Sequence, residues 1–320
     1  MMQFYKKRDF GTFISDSFAF FKLHGKNYFK NFILLNGLLL ILMVVLIILG
    51  FREFFGVLLG SNIGGQSYYF EQMLTDNLGL FILLGVLLFI ISTALMTINF
   101  LFPVFYMKRV AEGHKDIKTD DLLSDFKANG KKVFLTYLGL TFLVMPAATI
   151  LFGFSYFLII IFIGIVLMLF VGPTLFNIIL FLCYDYFNSE RGFFESLSYA
   201  VRSQFSYTNG REGSPYWKYW GSTLIMGILF YIITAIFSSI PMILYFVTLT
   251  TTTSNAEFEK NPLGGSFGML IFFLYGISTL VSSFLMNVMY VNSGLMYYDS
   301  RTDLHQKVEL EEIETIGINE

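Results

Sequence analysis

Charge is what this sequence has least of: Asp, Glu, Lys and Arg make up 14% of its 320 residues, against about 25% in a soluble domain. A single cysteine, Cys183, excludes an intramolecular disulfide and a disulfide-stapled scaffold. A formal charge of −2 excludes a broadly basic nucleic-acid binder. Three histidines, His24, His114 and His305, stand far apart with no cysteine or acidic metal motif beside them, and are expected to be solvated. Gly25-Lys26-Asn27 and Gly130-Lys131-Lys132 lack the upstream glycine and the Ser or Thr of a phosphate-binding loop. The serines form no nucleophile elbow, and the pairs Asp120-Asp121 and Glu311-Glu312 read as helix starts or solvated faces. The expectation is a protein that is not an enzyme and carries no metal or cofactor.

What is abundant is apolar: 55% of residues are hydrophobic and 19% aromatic. Charges cut this material into five windows, Asn31–Phe51, Asn77–Met107, Val133–Tyr184, Tyr219–Ala256 and Asn261–Tyr298. The third holds 52 residues, which as one helix would run roughly 78 Å across roughly 30 Å of hydrocarbon. It must fold back, and Gly153-Phe154-Ser155 is the expected turn. The fold class is therefore an all-α integral membrane protein with six transmembrane helices, at about 32–51, 78–107, 133–152, 156–185, 220–248 and 267–297. A second reading makes Pro146 the break of a re-entrant segment. The domain reading is a cytoplasmic segment (1–31), a six-helix domain (32–298) and an acidic tail (299–320).

Of the 21 Lys and Arg residues, 19 fall in the N-terminal segment, the second and fourth loops and the tail; only Arg52 and Lys260 lie opposite. The positive-inside rule then puts both termini in the cytoplasm, and the even helix count agrees. The first apolar run starts too late and is too long for a cleaved signal, so helix 1 is expected to be a retained anchor.

Residues 10–30 read as an amphipathic helix in the interface, with Phe13, Phe18 and Phe21 on its apolar side and Lys22, Lys26 and Lys30 recurring at i, i+4. The same pattern also suits a helix that packs on its own bundle. Aligning Gly25-Lys26 with Gly130-Lys131 pairs Asp16 with Asp121 and Phe21 with Phe126; Glu195 and Leu197 begin a looser third copy. The unit would be a cytoplasmic-side amphipathic helix plus two membrane helices, used three times by duplication or by shared environment. Asparagines recur in the spans: Asn36, Asn99, Asn177, Asn287 and Asn292. They either bond helix to helix or line a polar vestibule for a headgroup or solute. Trp217 and Trp220 form an aromatic-belt anchor.

The start Phe13-Ile14-Ser15-Asp16-Ser17-Phe18 with Lys26-Asn27-Tyr28-Phe29 resembles that of uncharacterised bacterial membrane proteins related to the membrane domain of some glycerophosphodiester phosphodiesterases. Glu190-Arg191-Gly192, Glu195-Ser196-Leu197 and Leu295-Met296-Tyr297-Tyr298-Asp299 are similar to that family's later segments. The catalytic barrel that names the family is absent, so the resemblance implies a bacterial inner-membrane protein without phosphodiester hydrolysis. The functional expectation is a non-enzymatic envelope protein that organises membrane lipids or a membrane partner, another protein or itself. A small-solute permease or permease subunit is the alternative. The tail carries Leu304, Val308, Ile313 and Ile316 at near-helical spacing among its acids. An anionic surface would repel it, so it docks on the Lys108–Lys132 loop or on a basic partner, or else stays solvated. Topology is testable directly: in a Cys183→Ala background, cysteines at Ser61 and Ser254 should react with an impermeant thiol reagent in spheroplasts. Cysteines at Ser15 and Ser124 should react only after lysis.

Overall fold

A computed structural model describes residues 2–62, 75–206, 213–251 and 265–301. The regular elements among them are all helical. In chain order they are α1 (Phe10–Asn62), α2 (Leu78–Ala111), α3 (Thr119–Ala128), α4 (Gly130–Gly139), α5 (Met145–Phe157), α6 (Ile163–Asn188), α7 (Phe193–Phe205), α8 (Tyr216–Thr251) and α9 (Gly265–Ser300). Six rods are long and apolar enough to cross a membrane: α1, α2, the α4–α5 rod, α6, α8 and α9. The all-α reading with six spans stands. A short helix precedes two long ones twice, as α3 before α4–α5 and α6, and as α7 before α8 and α9.

The first copy differs. Residues 10–30 are no separate interfacial helix; α1 runs unbroken for 53 residues, roughly 80 Å at 1.5 Å per residue. Asp9 starts it, its carboxylate accepting hydrogen bonds from the Thr12 backbone N–H (2.7 Å) and hydroxyl (2.5 Å). Those bonds hold the Asp9 carboxyl below the usual carboxylate range. Phe13, Ser17, Phe20, Tyr28 and Phe32 are all buried and keep one helical register through the expected boundary at residue 31. Their continuity is why no break occurs there.

The turn between the third and fourth spans also lies elsewhere. It occupies Leu158–Ile161, a 3₁₀ turn, and Phe162, whose φ of 63° is left-handed. Gly164 makes it possible: a Cβ there would overlap the Ser155 carbonyl oxygen and the backbone of Leu158 and Ile159. Gly153, the expected corner, has nothing near its missing Cβ and sits inside α5. Pro146 neither breaks the rod nor makes it re-entrant. A π-turn at Leu140–Val144 directly precedes Met145-Pro146; the wider turn accommodates a residue that has no N–H and crowds the carbonyl four residues back.

The chain divides into two compact units. Unit 1 comprises residues 1–35, 97–228 and 286–320, and its core is aromatic. The Tyr28 ring lies 4.9 Å from Phe102 and 4.8 Å from Tyr106, and Phe13 lies 5.7 Å from Tyr219. Gly294 admits the Tyr184 side chain and Met107 sulfur where a Cβ would stand. Unit 2 comprises residues 36–96 and 229–285. There Gly276 lets α9 approach α1, a Cβ on it falling 2.6 Å from Val44. The Ser238 and Ser278 hydroxyls bond at 2.8 Å. Leu38, Ile41, Ile82, Phe89, Ile236 and Phe273 are exposed, as suits helices solvated by acyl chains.

If Gly164 sets the hairpin, Gly164→Ala should destabilise by about 1–3 kcal/mol through overpacking. Gly153→Ala should leave thermal unfolding in detergent unchanged. Equal melting of the two variants would refute this account.

Candidate functional site

Three of the five asparagines join helices. Asn177 accepts hydrogen bonds from Thr223 (2.8 Å) and Ser293 (2.7 Å), tying α6 to α8 and α9. Asn292 accepts from Ser17 (3.1 Å) and Ser222 (3.2 Å), and Asn287 from the Tyr28 hydroxyl (2.8 Å). The Asn99 carbonyl oxygen is buried without a hydrogen-bond partner among the described residues. Asn36, in unit 2, is buried with neither amide atom bonded among them. None of these five residues lines either of the cavities described below. Among the expected anchors, Phe13 is buried, Phe21 half-buried, and Phe18, Lys22 and Lys26 are exposed. Trp217 is exposed. Trp220 does more than anchor, since its indole N–H donates to the Leu169 carbonyl (2.9 Å). Proline at 173 removes the N–H that would otherwise bond that carbonyl within α6.

Two buried carboxylates organise unit 1, and reading charges along the chain missed both. Asp185 and Asp299 had marked the limits of spans, and Asp299 the start of a tail. Yet α6 continues to Asn188 and α9 to Ser300, and both aspartates are fully buried. Asp299 accepts hydrogen bonds from the Arg8 backbone N–H (2.6 Å), the Tyr219 hydroxyl (2.7 Å) and the Lys218 ammonium (2.8 Å). Lys218 also donates to the Arg8 carbonyl (2.8 Å). The Arg8 guanidinium turns back on its own segment, donating to the carbonyls of Gln3, Phe4 and Lys6 and to Asp16. Burial pushes that guanidinium below its ordinary value, while the bond to Asp16 opposes the shift. The result is a clamp that fixes residues 3–8 against α8 and α9.

Asp185 is the second centre. Arg191 approaches it at 2.9 Å and Arg301 at 3.2 Å. Both guanidiniums face the Tyr199 ring, at 4.5 and 5.3 Å. The Tyr199 hydroxyl lies 2.8 Å from Ser300 Oγ. Asp185 thereby seats α7, at whose start the Glu195 carboxylate reaches back and accepts a hydrogen bond from the Gly192 backbone N–H (2.9 Å). Phe193 packs into the space that Gly139 leaves on α4. On its inward side α7 buries Ser196, Ala200, Ser203 and Gln204, small or polar residues that bring it close to its neighbours. Its large apolar residues point outward instead: Phe194, Val201 and Phe205 are exposed.

Along this outward face runs an open cavity of about 730 Å³, lined by Arg191, Glu195, Ser198, Tyr199, Arg202 and Ser206, with Phe194 beside them. Arg202 bonds only to the Ser198 carbonyl (3.4 Å) and hydroxyl (2.9 Å) one turn back. Among the described residues no carboxylate pairs with it. A guanidinium in that state, beside hydroxyls and aromatic rings, suits a phosphate or carboxylate ligand. A second cavity, of about 370 Å³, is lined by His24, His114, Lys115 and Met2. The two histidines are therefore neighbours in space, contrary to expectation. No group of three His, Cys, Asp or Glu able to hold a metal occurs among the described residues. His305 lies outside the described residues.

A faint signal for both aspartates was present. The third and fifth windows end at Tyr184 and Tyr298, each followed directly by an aspartate, Asp185 and Asp299, with Arg191 and Arg301 close behind.

Residues 192–317 match the model of a family described as "Protein of unknown function (DUF4013)". The match is less than half of the chain, opens at the residue before α7 and takes in α7, α8 and α9. No curated protein and no solved structure matches the chain. These comparisons give no relation to glycerophosphodiester phosphodiesterases.

Removing the cation from a buried pair strands its partner. Lys218→Met should therefore cost ~3–5 kcal/mol of stability, while Lys218→Met with Asp299→Leu should recover much of it. Arg202→Gln, a change at an exposed arginine without an ionic partner among the described residues, should lie within about 0.5 kcal/mol of the parent. Denaturant or thermal melts in one detergent would decide all three.

Proposed function

We propose that this is a non-enzymatic multi-pass protein of the bacterial inner membrane, and that it binds the anionic headgroup of a phospholipid in the α7 groove. The observation that carries this is Arg202, which has no ionic partner among the described residues and stands in a cavity lined in part by exposed Phe194, on a helix whose Phe205 is also exposed. Arg202 and the outer edge of Arg191 receive phosphate oxygens, and Ser198 and Ser206 supply hydroxyl donors. Phe194 and Phe205 meet the first methylenes of the acyl chains, continuing the aromatic run Tyr216, Trp217 and Trp220. The basic asymmetry of the sequence supports a groove at the cytoplasmic leaflet, where anionic lipid is the natural ligand. A permease draws less support, because Asn177, Asn287 and Asn292 spend their carbonyl oxygens on helix-to-helix bonds.

The test is native mass spectrometry of protein exchanged into nanodiscs of phosphatidylethanolamine and phosphatidylglycerol. The parent should retain phosphatidylglycerol selectively. Arg202→Gln should weaken retention about ten- to a hundredfold, the worth of one charge-assisted contact. A variant that keeps the same selectivity would defeat the headgroup reading.

A further inference from the structure

The α7 groove has a second candidate occupant within the same chain. We infer that the acidic segment 302–320 docks into it and competes with the anionic headgroup, an inference that rests on the groove being an anion site. The place where the chain leaves the described residues carries the argument. Arg301 lies over the ring of Tyr199, a groove-lining residue, and Ser300 bonds the Tyr199 hydroxyl at 2.8 Å. Arg301, the residue from which that segment continues, therefore stands beside the cavity lining. Residues 302–320 hold six carboxylates (Asp303, Glu309, Glu311, Glu312, Glu314 and Glu320) against Lys307 alone. The rim they meet carries Arg191 and Arg202, with Phe194 beside them for Leu310 or Ile313.

Reach is no obstacle. Glu309 is eight residues beyond Arg301, and an extended chain covers up to about 3.4 Å per residue. Tethering this close to its site gives the segment an effective concentration on the order of millimolar. Individually weak carboxylate–guanidinium contacts then suffice for substantial occupancy. The membrane itself offers the segment no alternative, since an anionic surface repels it. In the Lys108–Lys132 loop, the alternative docking site, Arg109 is paired with Asp125 and Lys132 bonds the carbonyls of Tyr186 and Ser189, whereas the exit at Arg301 lies beside the groove lining. Headgroup and tail present the same chemistry to the same arginines, so the groove is self-competitive. An anionic lipid gains entry by displacing the tail.

The experiment uses the full chain in nanodiscs of phosphatidylethanolamine with phosphatidylglycerol. It compares the parent, a neutral tail (Glu309, Glu311, Glu312 and Glu314→Gln), Arg202→Gln, and the two changes combined. Neutralising the tail should raise apparent phosphatidylglycerol affinity about three- to tenfold, which corresponds to self-occupancy of two-thirds to nine-tenths. Arg202→Gln should lower affinity and erase the difference between acidic and neutral tails. If the tail change leaves affinity unaltered while Arg202→Gln still lowers it, the competition is refuted and the headgroup reading survives. If Arg202→Gln has no effect with either tail, the headgroup reading fails. Hydrogen exchange then judges the tail by itself, in nanodiscs of phosphatidylethanolamine alone. Amides of 302–320 should exchange more slowly in the parent than in Arg202→Gln, and equal exchange would overturn the docking.

Discussion

A carboxylate taken out of water must find a cation and hydrogen-bond donors, and unit 1 is organised by meeting that requirement twice. Asp299 gathers Lys218, Tyr219 and the backbone of Arg8; Asp185 gathers Arg191 and Arg301. Neither aspartate could be buried if its helix ended a turn earlier, and neither helix would be held in place without it. Four other features depend on these centres: the path of residues 3–8, the seating of α7, the exit at Arg301 and the shape of the groove. Hydrophobic packing selects which helix faces turn inward. The ion pairs select which chain segments close over them.

The division of labour between the units follows from chemistry. Unit 2 has acyl chains for solvent, so its helices meet through small residues such as Gly276 and through the Ser238–Ser278 hydroxyl pair. Unit 1 combines aromatic packing with buried charge. Proline produces a local variant of the same economy: Pro173 orphans one carbonyl of α6, and Trp220 from α8 supplies the missing donor. A helix defect thereby becomes a helix-to-helix bond.

Six spans and their approximate limits were legible because apolar length is a one-dimensional property that survives folding. The same logic misplaced the hairpin. Gly153 and Gly164 look alike in sequence, and only the close approach of the Ser155 carbonyl distinguishes them. The interfacial reading of residues 10–30 identified the right periodicity. A stripe that faces lipid and a stripe that faces protein have the same spacing, however; of the residues read as the apolar side Phe13 is buried and Phe18 exposed, and the buried register adds Phe20 and Tyr28, which that reading did not name. The asparagines were visible as polar residues in apolar windows, but their partners Ser17, Ser222, Thr223 and Ser293 come from other helices. Charge counting gave Asp299 to the tail because it sums over residues without asking which are buried. The groove was the least legible element: its arginines, Arg191 and Arg202, were counted only for topology.

The bond between the Arg8 backbone and Asp299 joins positions 291 residues apart. At about 5–20 residues per second, a ribosome needs roughly 15–60 s to travel that distance. Throughout that interval the earliest part of the chain exists without its anchor, and Arg8 has no buried carboxylate to meet. Unit 1 therefore closes only once α9 has been made, so a nascent chain stalled in α8 would leave the segment around Arg8 unlatched. Such a chain differs chemically from a finished one at residues 3–8, which is where a quality-control protease would tell the two apart.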